Sequence, residues 1–173
     1  PVTAGALRVE SRSGGLSIGG AAQSAPGDAG PARAPTSGMR VTDAEFQFIQ
    51  VTDQASFYAS PPGGAVRGDL TVEDLNVDPR RVPRLLLSAG GDSDVLVTGV
   101  LAPTVDGGIL TIGESLGDTP FRPGRILVTG SIGASMGSLD TGYTGVRAFD
   151  EVNLFAARDV IMGSARFVAL IAA

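Results

Sequence analysis

The 173-residue chain has no cysteine, no histidine, no tryptophan and no lysine. Without Cys and His there are no thiol nucleophiles, disulfides or imidazole bases, and nearly all zinc and haem chemistry is excluded. A cysteine-free composition fits a bacterial extracellular protein, although a cytosolic one can also lack it. All 13 basic residues are arginine. No fold demands that, so it reads as the codon bias of a GC-rich genome. Aromatic residues make up only 5% of the chain, so the core should be thin and aliphatic. No apolar run approaches the roughly 20 residues needed to cross a bilayer, and no basic segment leads into an apolar secretion core. The chain opens on Pro1 and stops within the apolar run Phe167-Val168-Ala169-Leu170-Ile171. Both ends look cut, and we read it as a segment of something longer. Its net charge of −5 and pI near 4.6 argue against nucleic acid or an anionic membrane surface as partner.

What is abundant is glycine, at 25 residues, with 11 prolines, which favours many bends over long helices. Between Leu85 and Ile132 one unit keeps returning: two aliphatic residues one apart, a small polar residue or none, then glycine. Val95 and Val97 lead to Gly99, Leu110 and Ile112 to Gly113, and Ile126 and Val128 to Gly130. The unit stands again at Leu16-Ile18-Gly19 and at Val160-Met162-Gly163. Apolar residues at alternate positions share one face of a strand, and the glycine allows a bend that a side chain would obstruct. Such three-residue strands gain little from one partner and need stacked neighbours. Antiparallel sandwiches use longer strands and hairpin turns, for which Asp106-Gly107 is the one candidate. The expected fold is therefore all-β, a right-handed parallel β-helix segment with long loop excursions.

Residues 1–20 supply the first coil, with strands around Leu7–Val9 and Leu16–Ile18. Residues 21–38 are a low-complexity loop of small residues and proline, too poor in apolar groups to offset an ordering entropy of about 1–2 kcal/mol per residue. Coils fill residues 39–173, with loops at 61–68, 78–84 and 134–144. Within Met39–Ser60, Thr42 and Glu45 are spaced like a helix capping box. The alternation of Phe46 and Phe48 favours strand instead, and strand is the preferred reading. Residues 164–173 fit strand or, with Ser164 as cap, helix.

The glycine-punctuated repeats of Leu85–Ile132, with the closing block Val152-Asn153-Leu154-Phe155-Ala156-Ala157-Arg158-Asp159-Val160-Ile161-Met162-Gly163, resemble the filamentous haemagglutinin family. These are large exoproteins of bacterial two-partner secretion. The resemblance implies a right-handed β-helix shaft within an extracellular, surface-attached adhesive fibre. Nothing matches the family's amino-terminal secretion domain, so this piece would be shaft.

Site chemistry is thin. Asp92, Asp94, Asp150, Glu151 and Asp159 are the carboxylates that a β-helix polysaccharide lyase or hydrolase would pair on one face, but an Asp or Glu on a solvent face usually serves solvation alone, and no basic partner sits at a telling spacing. Arg80, Arg81 and Arg84 have the chemistry to grip an acidic sugar or simply to keep a loop soluble. Gly90–Leu96 resembles half of a calcium-binding glycine/aspartate repeat without the second copy that calcium's six to eight oxygens require. Arg158-Asp159 reads as a turn. No phosphate-loop or dinucleotide motif occurs. We therefore assign no catalytic, cofactor-binding or metal residue, and expect a non-catalytic structural or adhesive segment of a secreted bacterial surface fibre. Its partners would be neighbouring coils, with host or surface glycans at the loops. The alternatives are a carbohydrate-active β-helix enzyme and a phage fibre-like subunit.

Overall fold

The structure, a computed structural model, describes residues 2–12, 14–20, 38–59, 68–90, 93–113, 122–133 and 148–163. It is all-β apart from one short helix, and its strands form three parallel sheets. The first sheet runs β1 (Val2–Ser11), β4 (Ile49–Ala59), β7 (Arg84–Ala89), β10 (Ile109–Ile112), β13 (Glu151–Leu154). The second runs β3 (Gly38–Val41), β2 (Gly15–Ile18), β5 (Leu70–Val72), β8 (Val95–Val97), β11 (Arg125–Val128), β14 (Asp159–Met162). The third runs β6 (Leu75–Val77), β9 (Val100–Pro103), β12 (Ser131–Ile132). From β4 onward the chain visits the first, second and third sheets in that order, and each return lands one strand further along.

The aliphatic pairs create this arrangement because their register repeats. Leu16, Leu70, Val95, Ile126 and Val160 form one column of the second sheet, and Ile18, Val72, Val97, Val128 and Met162 form the next. In the first sheet, Val9, Phe57, Leu87, Ile112 and Leu154 line up in the same way. Away from the ends of the stack these side chains are buried in one core. Each contributes roughly 1.5–3 kcal/mol relative to exposure.

Local structure departs from the sequence reading in several places. Met39–Ser60 is not continuous strand: α1 (Asp43–Phe46) lies between β3 and β4. The capping box is real, with the Thr42 hydroxyl accepting from the Glu45 N–H at 3.2 Å and the Glu45 carboxylate accepting from the Thr42 N–H at 2.8 Å. These local bonds outweigh the alternation, so Phe46 is buried from the helix while Phe48 faces solvent. Arg84 opens β7 instead of closing a loop. Val100–Pro103 and Ser131–Ile132 are strands although they lack the aliphatic pair. The pair Val160 and Met162 is exposed, because β14 is the last strand of its sheet among the described residues. The expected loops at 21–38, 61–68 and 134–144 lie outside the described residues except Gly38, which opens β3, and Gly68. Residues 164–173 also lie outside them.

The box is expected to tie stability to pH in the acid range. Hydrogen bonds from the Thr42 backbone and then its hydroxyl hold Glu45 below its ordinary value of 4.5. Glu10 is likewise lowered, first by Arg12 and then by Arg8. A depressed folded-state pKa gives stability that is present above the unfolded value and is lost as pH falls through the folded one. The melting temperature is thus expected to fall as pH drops from 4.5, and a Glu10→Gln/Glu45→Gln variant to fall less steeply. Equal slopes would remove these two groups as the cause.

Candidate functional site

The densest polar arrangement among the described residues lies where the chain enters the second sheet. Asp69, Asp94, Arg125 and Asp159 each stand one position before an inward aliphatic residue, and the strand register stacks them in a column. The Asp94 N–H donates to Asp69 Oδ1 at 2.8 Å, and the Arg125 N–H donates to Asp94 Oδ1 at 2.9 Å. The Arg125 guanidinium then grips Asp94, with Nη2 at 2.6 Å and Nε at 3.1 Å from Oδ2. The Asp94 side chain is 10% exposed and that of Arg125 44%. The hydrogen bond to Asp94 is the main cause of the raised Arg125 pKa, followed by the Asp94 charge and, more weakly, those of Asp159 and Asp69.

The same device recurs elsewhere. Asp74 Oδ1 accepts from the Val100 N–H at 2.8 Å and Asp106 Oδ1 from the Ala148 N–H at 3.1 Å at two other corners, and Asp43 Oδ1 of α1 accepts from the Asn76 N–H at 2.9 Å on the edge of β6. In every one of these bonds a carboxylate from an earlier pass of the chain holds a backbone N–H of a later one. Corners are where sheet ladders lapse and leave backbone donors to satisfy. Charge-assisted bonds are among the stronger ways to do so. Beside them the Thr98 and Thr129 hydroxyls donate to the Val72 and Val97 carbonyls.

This geometry decides the fate of the candidate residues. Asp94 is engaged with Arg125, which holds its carboxylate within the column. Asp159 opens β14 in the same column, separated from Asp94 by Arg125; it is a strand residue and not part of the expected turn. Asp150 donates its backbone N–H to the Gly108 carbonyl at the approach to β13. Glu151 accepts from Asn153 at 2.6 Å in β13 itself. The candidates thus divide between two sheets and do not pair on one face, and Asp92 lies outside the described residues. The arginines do not converge either. The Arg80 N–H closes a turn on Asp78 Oδ1, the Arg81 carbonyl accepts from the Val51 N–H, and Arg84 lies 3.8 Å from Asp53. Among the described residues no group of three or more His, Cys, Asp or Glu could hold a metal ion.

Sequence reasoning missed Asp69, Arg125 and the roles of Asp43, Asp74 and Asp106. A signal existed for the column: an aspartate stands immediately before the aliphatic pair at Asp69-Leu70, Asp94-Val95 and Asp159-Val160. Comparison with protein families, with characterised proteins and with solved structures gave no match. No helix among the described residues is long and apolar enough to cross a membrane.

Proposed function

We propose that this chain is a non-catalytic shaft segment of a secreted bacterial surface fibre, built as a right-handed parallel β-helix, whose work is to project and display. The observation that carries the reading is the register of three parallel sheets visited in constant order, with aspartates holding each pass to the next at the corners. A right-handed course follows from the general rule for crossovers between parallel strands. Continuous backbone ladders and stacked aliphatic columns suit a stiff rod. The binding of host or surface glycans would fall to the loops, where contact residues usually reside. The extracellular setting accords with the lack of cysteine and with the family resemblance.

One paired experiment tests this. An experimental structure should show the three parallel sheets closing into a right-handed coil, and incubation with acidic and neutral polysaccharides should release no reducing ends or unsaturated products. Sheets that do not close into such a coil would overturn the shaft. Product release abolished by Asp159→Asn, in a variant that circular dichroism shows to be folded, would replace it with a polysaccharide-cleaving enzyme.

A further inference from the structure

The short helix α1 occupies a strand's place in the stack. In the later passes the chain goes from the second sheet to the third and then to the first: β5, β6, β7, then β8, β9, β10, then β11, β12, β13. The earliest such passage runs β3, α1, β4, so α1 stands where the other passes place a third-sheet strand. Among the described residues the third sheet accordingly ends at β6.

The helix also does a strand's bonding. Successive residues of a strand turn their backbone groups to alternate edges. The Val77 carbonyl accepts from the Thr104 N–H on the side of β9. In the three-residue β6, Asn76 is therefore the residue that turns its N–H and C=O away from β9. Both groups are taken by α1 and its cap. The Asn76 N–H donates to Asp43 Oδ1 at 2.9 Å, and Gln47 Nε2 donates to the Asn76 carbonyl at 2.7 Å. Gln47 Nε2 also lies 3.4 Å from Asp43 Oδ1, which ties the two clips together. Between them Phe46 is 2% exposed and packs near Phe57 in the core. The outer edge of β6 is thus satisfied by side chains of this same chain.

We propose that α1 is an edge guard: it substitutes for the next strand of the third sheet and keeps the β6 edge from pairing with that of a second copy of this chain. A bare strand edge is a template for such pairing, and covering it with a helix is one of the ways proteins prevent it. Two uncovered β6 edges would meet antiparallel with Asn76 opposite Asn76, exchanging both backbone bonds. Asp43 and Gln47 hold those same two groups, and Phe46 anchors the helix over them. The inference concerns one edge of one sheet and depends neither on the shaft reading nor on adhesion.

Hydrogen exchange and analytical ultracentrifugation test this, with circular dichroism confirming that each variant folds. Asp43→Ala/Gln47→Ala removes both clips and should speed exchange of the Asn76 amide about tenfold or more. The Thr104 amide, bonded on the other side of β6, should keep its wild-type rate. Unchanged exchange at Asn76 would overturn the proposal. Adding Phe46→Ala removes the anchor and uncovers the edge, and this triple variant should self-associate about tenfold or more tightly than the wild type. Asn76→Pro in that background deletes the edge N–H without touching the β9 side, as proline does on an edge strand, and should abolish the excess. No excess in the folded triple variant, or an excess that Asn76→Pro leaves in place, would equally overturn the guard. Neither outcome touches the internal ladders on which the shaft reading rests. The exchange measurement decides alone should the triple variant fail to fold.

Discussion

Phe57→Ala is expected to destabilise the chain by about 3–5 kcal/mol, against the roughly 5–15 kcal/mol that holds a typical domain together. Phe57 is fully buried in β4, with its ring centroid 5.8 Å from that of Phe46. It thus joins the inward column of the first sheet to α1 near the β3 end of the stack. Strands pair with β4 on both sides, β1 and β7, so a hole opened here is felt by two neighbours. In a stack whose members touch only those adjacent to them, stability is close to a sum of nearest-neighbour terms. Leu154→Ala provides the control. Leu154 sits in the same column but on β13, which ends the first sheet among the described residues and where it is only partly buried, so its loss should be clearly smaller. Urea unfolding of both variants measures the difference. Equal losses would mean that the columns do not share one buried interior.

How far the sequence reveals this architecture depends on the reach of each interaction. The aliphatic pairs are local signals, and each that falls on described residues is a strand: Leu16 with Ile18, Leu70 with Val72, Leu75 with Val77, Val95 with Val97, Leu110 with Ile112, Ile126 with Val128, Val152 with Leu154 and Val160 with Met162. The third sheet is harder to see. Ile132 is its one buried residue in β12, so no alternation announces that strand. At α1 two local signals conflict, and the capping box wins because its bonds form within four residues. The phenylalanine alternation would pay only if both rings reached the core.

The partners of the corner aspartates are hidden from the sequence for a different cause. The separation from Asp69 to Asp94 is 25 residues, and from Asp106 to Ala148 it is 42. No fixed spacing links carboxylate to donor, because the connections between passes differ in length. In the column of the second sheet the position before the aliphatic pair is constant, whereas Asp106 stands before Gly107. Arg125 stands in that position without being acidic, and the Asp94 carboxylate beneath it takes both its backbone N–H and its guanidinium.

The glycines after the aliphatic pairs show the same division, and they yield the second large effect. Gly99 and Gly130 do not have positive φ. A side chain at Gly130 would run into the Gly99 backbone, and one at Gly99 into Asp74, so these glycines provide clearance between passes as well as a bend. At Gly113 the two requirements coincide. Its φ is +84°, its N–H donates to the Leu87 carbonyl at 2.8 Å, and an added Cβ would collide with the Phe155 carbonyl oxygen. Gly113→Ala therefore carries a left-handed backbone penalty of about 1–2 kcal/mol. Displacing a neighbouring backbone adds about 1–3 kcal/mol, for a total of roughly 2–5 kcal/mol. Gly133 separates the two contributions, since its φ is +83° but nothing lies within 4 Å of its Cβ position. Gly133→Ala should lose only the backbone part. Denaturant midpoints for the pair should differ in that sense, and matching losses would show that crowding by the next pass of the chain is not what requires glycine at position 113.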